Sequence, residues 1–349
     1  MKWFKRFLAI SSLLVIVAIA AGGGWIYSLY QTPTQNQVEQ IVDIPRGTSF
    51  RAATRMLADK GVYPHADFLY YWARVTDQTT LQAGEYSISP QQALPDLLAL
   101  LASGRTVQYR VTLVEGWHFS QWRDALGRLD NIEQRLPDMT DEEVAEFLGL
   151  EEDHPEGWLY PETYSYTRGA TDLSILRQAH ERMQRVLTEE WAARSDGAVV
   201  ETPYEALILA SIIERETGAT WEREDIAGVF TRRLQRGMRL QTDPTVIYGM
   251  GDSYDGRIRR SDLETSTPWN TYRISGLPPT PIAMPGRGSI HAALNPAPGS
   301  ALYFVARGDG THHFSDTLVE HNAAVRRYQL QRREDYRSAP PTTLPEEGS

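Results

Sequence analysis

The sequence predicts an α+β protein led by one transmembrane helix. Three observations predict it: a charge-free apolar run over residues 7–27, short strand-like segments set among stretches of helical periodicity, and no internal repeat along 349 residues. Hydrophobic residues make up 41% and charged residues 23%, an ordinary globular balance with room for about two cores. A formal net charge of −10 excludes the basic footprint of a nucleic-acid binder. The absence of cysteine removes thiol catalysis, disulfides and thiolate metal sites together. Lysine occurs only at Lys2, Lys5 and Lys60, so the later chain offers no amine for a pyridoxal phosphate Schiff base.

The run from Phe7 to Tyr27, as a helix, spans roughly 31 Å, the thickness of a bilayer core. Lys2, Lys5 and Arg6 precede it, which keeps the N-terminus cytoplasmic and sends the rest out; Trp25 and Tyr27 suit the outer interface. Ala18-Ile19-Ala20 resembles a signal-peptide cleavage site, but the apolar stretch continues past it to full spanning length. Residues 1–30 are therefore read as a single-pass anchor in the inner (cytoplasmic) membrane, with the remainder in the periplasm or outside the membrane. Residues 31–40, polar and containing Pro33, follow as a linker.

Residues 41–105 read as a small α/β subdomain. Gln40 to Ile44 is a short strand, Thr48 or Ser49 caps a helix reaching Lys60, and a second helix covers Ala66 to Val75. Gly84 to Ile88 alternates as a strand, and Ala93 to Leu101 is helical up to Gly104. This order, with Pro45-x-Gly47-Thr48 opening the first helix, resembles a LysM glycan-binding module; the alternative is a packing unit that binds nothing.

Residues 106–335 read as an α+β catalytic region, and 336–349, rich in Pro, Thr and Glu, as a disordered tail. Gln108 to Val114 forms a strand, followed by helices around Ser120 to Leu129, Glu142 to Leu148 and Leu173 to Trp191. His180 shares a face with Leu176, Met183 and Leu187, a core or boundary position. Ile226, Val229, Phe230 and Leu234 make an amphipathic helix with Arg232, Arg233 and Arg236 outward, stopped by Gly237. Asp243 or Thr242 caps the next helix. Eight scattered histidines show no H-E-x-x-H spacing, and the adjacent His312 and His313 point to opposite faces of a strand after the Gly308-Asp309-Gly310 turn, so no metal site is expected.

The chemistry concentrates between Thr202 and Gly218. Thr202 with Glu205 forms a capping box, Pro203 takes the first helical position, and Gly218 is a natural stop. The helix between them is apolar almost all round, hence buried, yet it ends in Glu214-Arg215-Glu216-Thr217. Two residues of helix turn through about 200°, so the two carboxylates cannot share a cleft. Glu216 continues the stripe of Leu209, Ile212 and Ile213, where desolvation and the negative helix end both raise a carboxyl pKa. A carboxyl held neutral near pH 7 can protonate a glycosidic oxygen; the alternative is a structural salt bridge.

Leu209-Ala210-Ser211-Ile212-Ile213-Glu214-Arg215-Glu216-Thr217 resembles the signature of the endolytic murein transglycosylase family, as does Gly237 through Gly249 with its Gln241-Thr242-Asp243-Pro244 core. Asn270-Thr271-Tyr272, Gly276-Leu277-Pro278-Pro279, Tyr303-Phe304-Val305-Ala306 and His313-Phe314 continue the resemblance in order. It implies Glu216 as catalytic residue. Gln241, Asn270 and Tyr272 are neutral hydrogen-bonding or stacking groups of the type sugars prefer and, with Asp243 where it does not serve as a cap, are candidate sugar contacts; no cofactor is needed. The resemblance further implies a carbon–oxygen lyase that cleaves the β-1,4 bond after N-acetylmuramic acid in nascent glycan strands and leaves 1,6-anhydro ends. Partners would be peptidoglycan strands and the cell-wall synthesis machinery. The rivals are a water-using muramidase, needing a second carboxylate such as Asp243 or Glu264, and a non-catalytic wall-binding scaffold.

Overall fold

The computed structural model describes residues 2–330; the expected tail at 336–349 lies outside the described residues. The chain divides into two compact units, Met1–Tyr109 with Ser165–Ala170, and Arg110–Tyr164 with Thr171–Ser349. Each mixes helices with short antiparallel strands, an α+β class as expected.

The first unit starts with α1 (Lys2–Gln31), of which Arg6–Gln31 is long and apolar enough to cross a membrane. Its last turn is docked. Leu29 is buried, the Tyr63 hydroxyl donates to the Leu29 carbonyl at 3.0 Å, and the Tyr30 ring lies 5.0 Å from that of Trp72. The segment expected as a spacer is tied down too: the Thr34 amide donates to Gln92 O at 2.9 Å, the Gln35 amide to Val62 O at 2.8 Å, and the Asn36 side chain to Ile88 O at 2.9 Å. Polar residues that composition assigns to solvent here satisfy backbone groups instead.

Strands β1 (Gln40–Ile44) and β2 (Gly84–Ile88) pair antiparallel with Val42 opposite Tyr86. Around them pack α2 (Phe50–Asp59), α3 (Ala66–Val75) and α4 (Leu94–Ser103). Ser49 caps α2 by accepting the Ala52 amide at 3.2 Å, and Gly104 closes α4 at φ 65°, a left-handed turn that a Cβ would strain. Leu57, Leu69, Tyr86, Leu97 and Leu101 share the unit's core.

The chain passes between units within β3 (Tyr109–Thr112) and β4 (Thr163–Tyr166). The second unit contains α5 (Phe119–Gly127), α6 (Asp141–Leu148), α7 (Asp172–Ala192), α8 (Pro203–Glu216), α9 (Arg223–Gln235), α10 (Asp243–Met250), α11 (Arg260–Glu264), α12 (Arg287–Leu294) and α13 (Leu318–Val325). Strands β5 (Tyr303–Ala306) and β6 (His312–Ser315) form an antiparallel hairpin. Residues 206–213 of α8 are all buried, packed by α7, α9, α10 and α12. At about 1.5–3 kcal/mol per buried large aliphatic side chain, surroundings rather than helix propensity hold α8 in place.

Two local expectations are corrected. Helix α8 ends at Glu216, because Thr217 is already extended at φ −139° and ψ 135°, so Gly218 is not its stop. Arg233 does not face outward; it is only 7% exposed. Seven residues beyond Ile226, it falls on the same apolar stripe of α9 as Val229 and Phe230.

Candidate active site

The last turn of α8 brings Glu216 to a cavity of about 340 Å³ whose lining includes Arg233, Gln241, Asp243, Tyr272 and Tyr303. Glu216 keeps part of its surface open to that cavity while protein encloses the rest. Burial pushes its carboxyl up to about 7, the neighbouring charge of Asp243 acts in the same direction, and the hydrogen bond from Thr242 and the proximity of His312 oppose them.

The Thr242 bond is a product of local folding. Thr242 occupies the N-cap position of α10 but its side chain caps nothing; the hydroxyl donates to Glu216 Oε1. Its own amide donates to Thr271 Oγ1 at 3.0 Å, and Thr242 is 2% exposed, so the hydroxyl has one place to go. Gln241, just before it, sits at φ 54°, a left-handed conformation that non-glycine residues adopt at some cost and that recurs at functional sites. Asp243 accepts from the Tyr272 hydroxyl at 2.6 Å; burial first, then that bond, holds the phenol above its ordinary pKa.

Glu214 lives in a different environment. Its carboxylate accepts from Arg223 Nη2 at 2.9 Å, the Gly286 amide at 3.0 Å and the Ser289 hydroxyl at 2.7 Å, with 6% of its side chain exposed. It does not line the cavity. The two glutamates therefore diverge as helical rotation requires.

Glu216, Gln241, Asp243 and Tyr272 are brought together, whereas Asn270 stands outside the cavity. Asn270 is 1% exposed and its Nδ2 donates to the carbonyls of Asp262, Leu263 and Thr265, while its Oδ1 accepts the Tyr272 amide at 2.9 Å. An amide satisfied by backbone at both ends builds the turn that carries Tyr272; it has nothing left for a sugar. Glu264 pairs with Arg260 at 3.0 Å on the surface, likewise away from the cavity.

Sequence reasoning missed the hydroxyl of Thr242, the buried Arg233, and Tyr303 and His321. The first had a signal, since two cap candidates in succession leave one side chain free. The second had the seven-residue spacing from Ile226. Tyr303 and His321 had none, because only tertiary folding brings β5 and α13 to the cavity. Among the described residues, no group of three His, Asp or Glu side chains converges as a metal would require.

A model of the YceG-like family matches residues 42–327. A Bacillus subtilis (strain 168) protein named endolytic murein transglycosylase is 31% identical over 327 residues, covering 88% of this chain and 90% of that protein. A protein of the same name from Streptococcus pneumoniae serotype 2 is 27% identical over 354 residues, with 90% of this chain matched against 64% of that longer protein. Among solved structures, a putative yceG-like protein from Listeria monocytogenes superposes with a TM-score of 0.51 at 29% identity, covering 82% of this chain and 99% of that one.

Proposed function

Since this chain belongs to the YceG-like family, we propose that it is an endolytic murein transglycosylase, a peptidoglycan-cleaving lyase with Glu216 as general acid and then general base. The observation that carries the reading is a carboxyl pushed to about 7, facing a cavity with neutral hydrogen-bonding groups, in a chain whose relatives carry that name. Protonated Glu216 gives its proton to the glycosidic oxygen as the C1–O bond breaks. The resulting carboxylate takes the proton of the muramyl 6-hydroxyl, whose oxygen closes on C1 to give the 1,6-anhydro end. One carboxyl suffices because the nucleophile belongs to the substrate. Ends about 18 Da lighter than hydrolysed ones test this by mass spectrometry. Asp243, on the same cavity, sustains a water-using muramidase as second reading; water-added reducing ends would select it.

The acid role fixes the pH dependence. Because the protonated form is the active one, kcat/KM should fall as pH rises through about 7. Thr242→Val removes a donor that favours the charged carboxylate, so the descending limb should move to higher pH and kcat should drop about tenfold. An unmoved limb in the pH–rate profile would detach Thr242 from Glu216.

The helix α1 supports a single-pass anchor with the units outside. Protease added to spheroplasts should then digest the chain beyond residue 31, while a soluble, shortened mature protein would indicate cleavage near Ala20. The first unit we read as LysM-like and strand-binding. It carries a groove of about 650 Å³ lined by Ser87, Gln92, Asp96 and Arg105 among others. Replacing Asp96 and Arg105 together with alanine should weaken co-sedimentation with glycan strands severalfold; unchanged binding would make the unit a spacer.

A further inference from the structure

The cavity that holds Glu216 has a second wall that bond cleavage leaves unused. Arg233 reaches it from α9, and its Nε donates to Leu302 O at 2.8 Å while Nη1 donates to Arg239 O at 3.0 Å and Leu240 O at 2.7 Å. All three acceptors are neutral carbonyls. The ionisable groups that act on the guanidinium are the phenols of Tyr303 and Tyr272, and among the described residues no carboxylate pairs with it. Nη2 has no acceptor among the described residues, and it is not one of the unpartnered atoms sealed from solvent; this edge of the guanidinium is left to the cavity.

The Tyr303 ring centre lies 5.1 Å from the guanidinium carbon, and His321 stacks on the same ring at 5.2 Å and 27°. Burial and the charge of Arg233 hold the His321 imidazole below its ordinary pKa, so near neutrality this wall carries one positive charge and one neutral imidazole. The same cavity is lined by Glu216, whose carboxyl burial pushes up to about 7, and by Asp243, whose carboxylate is engaged by Tyr272. Arg233 is a buried residue, 7% exposed, and its guanidinium lacks a counter-charge among the described residues, so it bears a desolvation penalty that an arriving anion would relieve.

We infer that Arg233, Tyr303 and His321 form a carboxylate subsite that seats the acyl arm of the muramyl residue beside the scissile bond. The inference rests on the transglycosylase reading. The sugar rings of the strand bear hydroxyls and acetamides, which are neutral, so the charge this wall is built to meet sits on the lactyl arm. There it is either the free lactyl carboxylate or, where a peptide is attached, a peptide carboxylate. The planar fork of arginine matches either.

The test uses the full-length wild-type chain on three strands: peptide-bearing, peptide-bearing with every carboxyl converted to its methylamide, and peptide-stripped with the lactyl carboxylate free. Amidation should raise KM about ten- to a hundredfold, the scale of a lost charge-assisted hydrogen bond, with kcat little changed. A low KM on stripped strands assigns the lactyl carboxylate, and a KM as high as that of amidated strands assigns the peptide. Arg233→Lys, which keeps the charge but loses the fork, should shrink the amidated-to-free KM ratio toward one. His321→Ala should shrink it too while leaving the carbonyl contacts of Arg233 in place, so it serves if the lysine variant misfolds. Equal KM for all three strands in the wild type overturns the subsite and leaves the transglycosylase reading standing. No cutting of any strand overturns both.

Discussion

Glu216→Gln is expected to lower turnover of peptidoglycan strands by about two to four orders of magnitude, the usual loss when a general acid is removed. Glutamine keeps the size of the side chain and can still accept the Thr242 hydroxyl through its Oε1. It cannot supply the proton. The fold should persist, because a carboxyl raised to about 7 is already neutral over much of the working range, and an amide costs no more to desolvate than the neutral acid. Single-turnover rates with mass spectrometry of the ends, beside a thermal melt of the same preparation, measure both halves. A variant that still cuts at the wild-type rate moves the acid elsewhere, with Asp243 the first place to look, since it lines the same cavity.

Two positions earlier, Glu214→Ala should do the reverse, costing about 3–5 kcal/mol of stability while folded molecules keep near wild-type turnover. The Glu214 carboxylate is the main counter-charge of Arg223, whose side chain is 12% exposed; the other partner, Glu115, lies at 3.5 Å and is half open to water. Truncation also strips acceptors from the Gly286 amide and the Ser289 hydroxyl, which help fix the start of α12 against α8. Glu214→Gln keeps some of these bonds and should cost less, about 1–3 kcal/mol. Denaturant melts with activity normalised to folded protein separate the effects. A stable Glu214→Ala that has lost turnover would exchange the roles of the two glutamates.

That separation was legible in the sequence because helical rotation is arithmetic. Apolar residues around the helix set its burial, and a two-residue offset sends the carboxylates apart whatever else surrounds them. The same holds for β1, α3 and β2, whose bounds follow directly from alternation and periodicity closed by turn residues. Legibility failed where a side chain's partner is distant. Asn270 has the residue type of a sugar contact but is occupied by three carbonyls within eight residues, a turn geometry that composition does not encode. Arg233 was assigned to solvent by its charge, although its spacing from Ile226 placed it inside. Charge is a weaker guide than spacing when carbonyls converge on one point, as Leu302, Arg239 and Leu240 do here.

The docked end of α1 has a mechanical consequence. A helix that emerged into loose chain would let the first unit swing through any angle. With Leu29 buried and the Tyr63 hydroxyl closed on its carbonyl, unit and helix move as one piece, like a rudder on its stock. With α1 in the bilayer, a change in hydrocarbon thickness that tilts the helix turns the first unit through the same angle. Were α1 membrane-spanning, lipid composition would then set how far that unit leans.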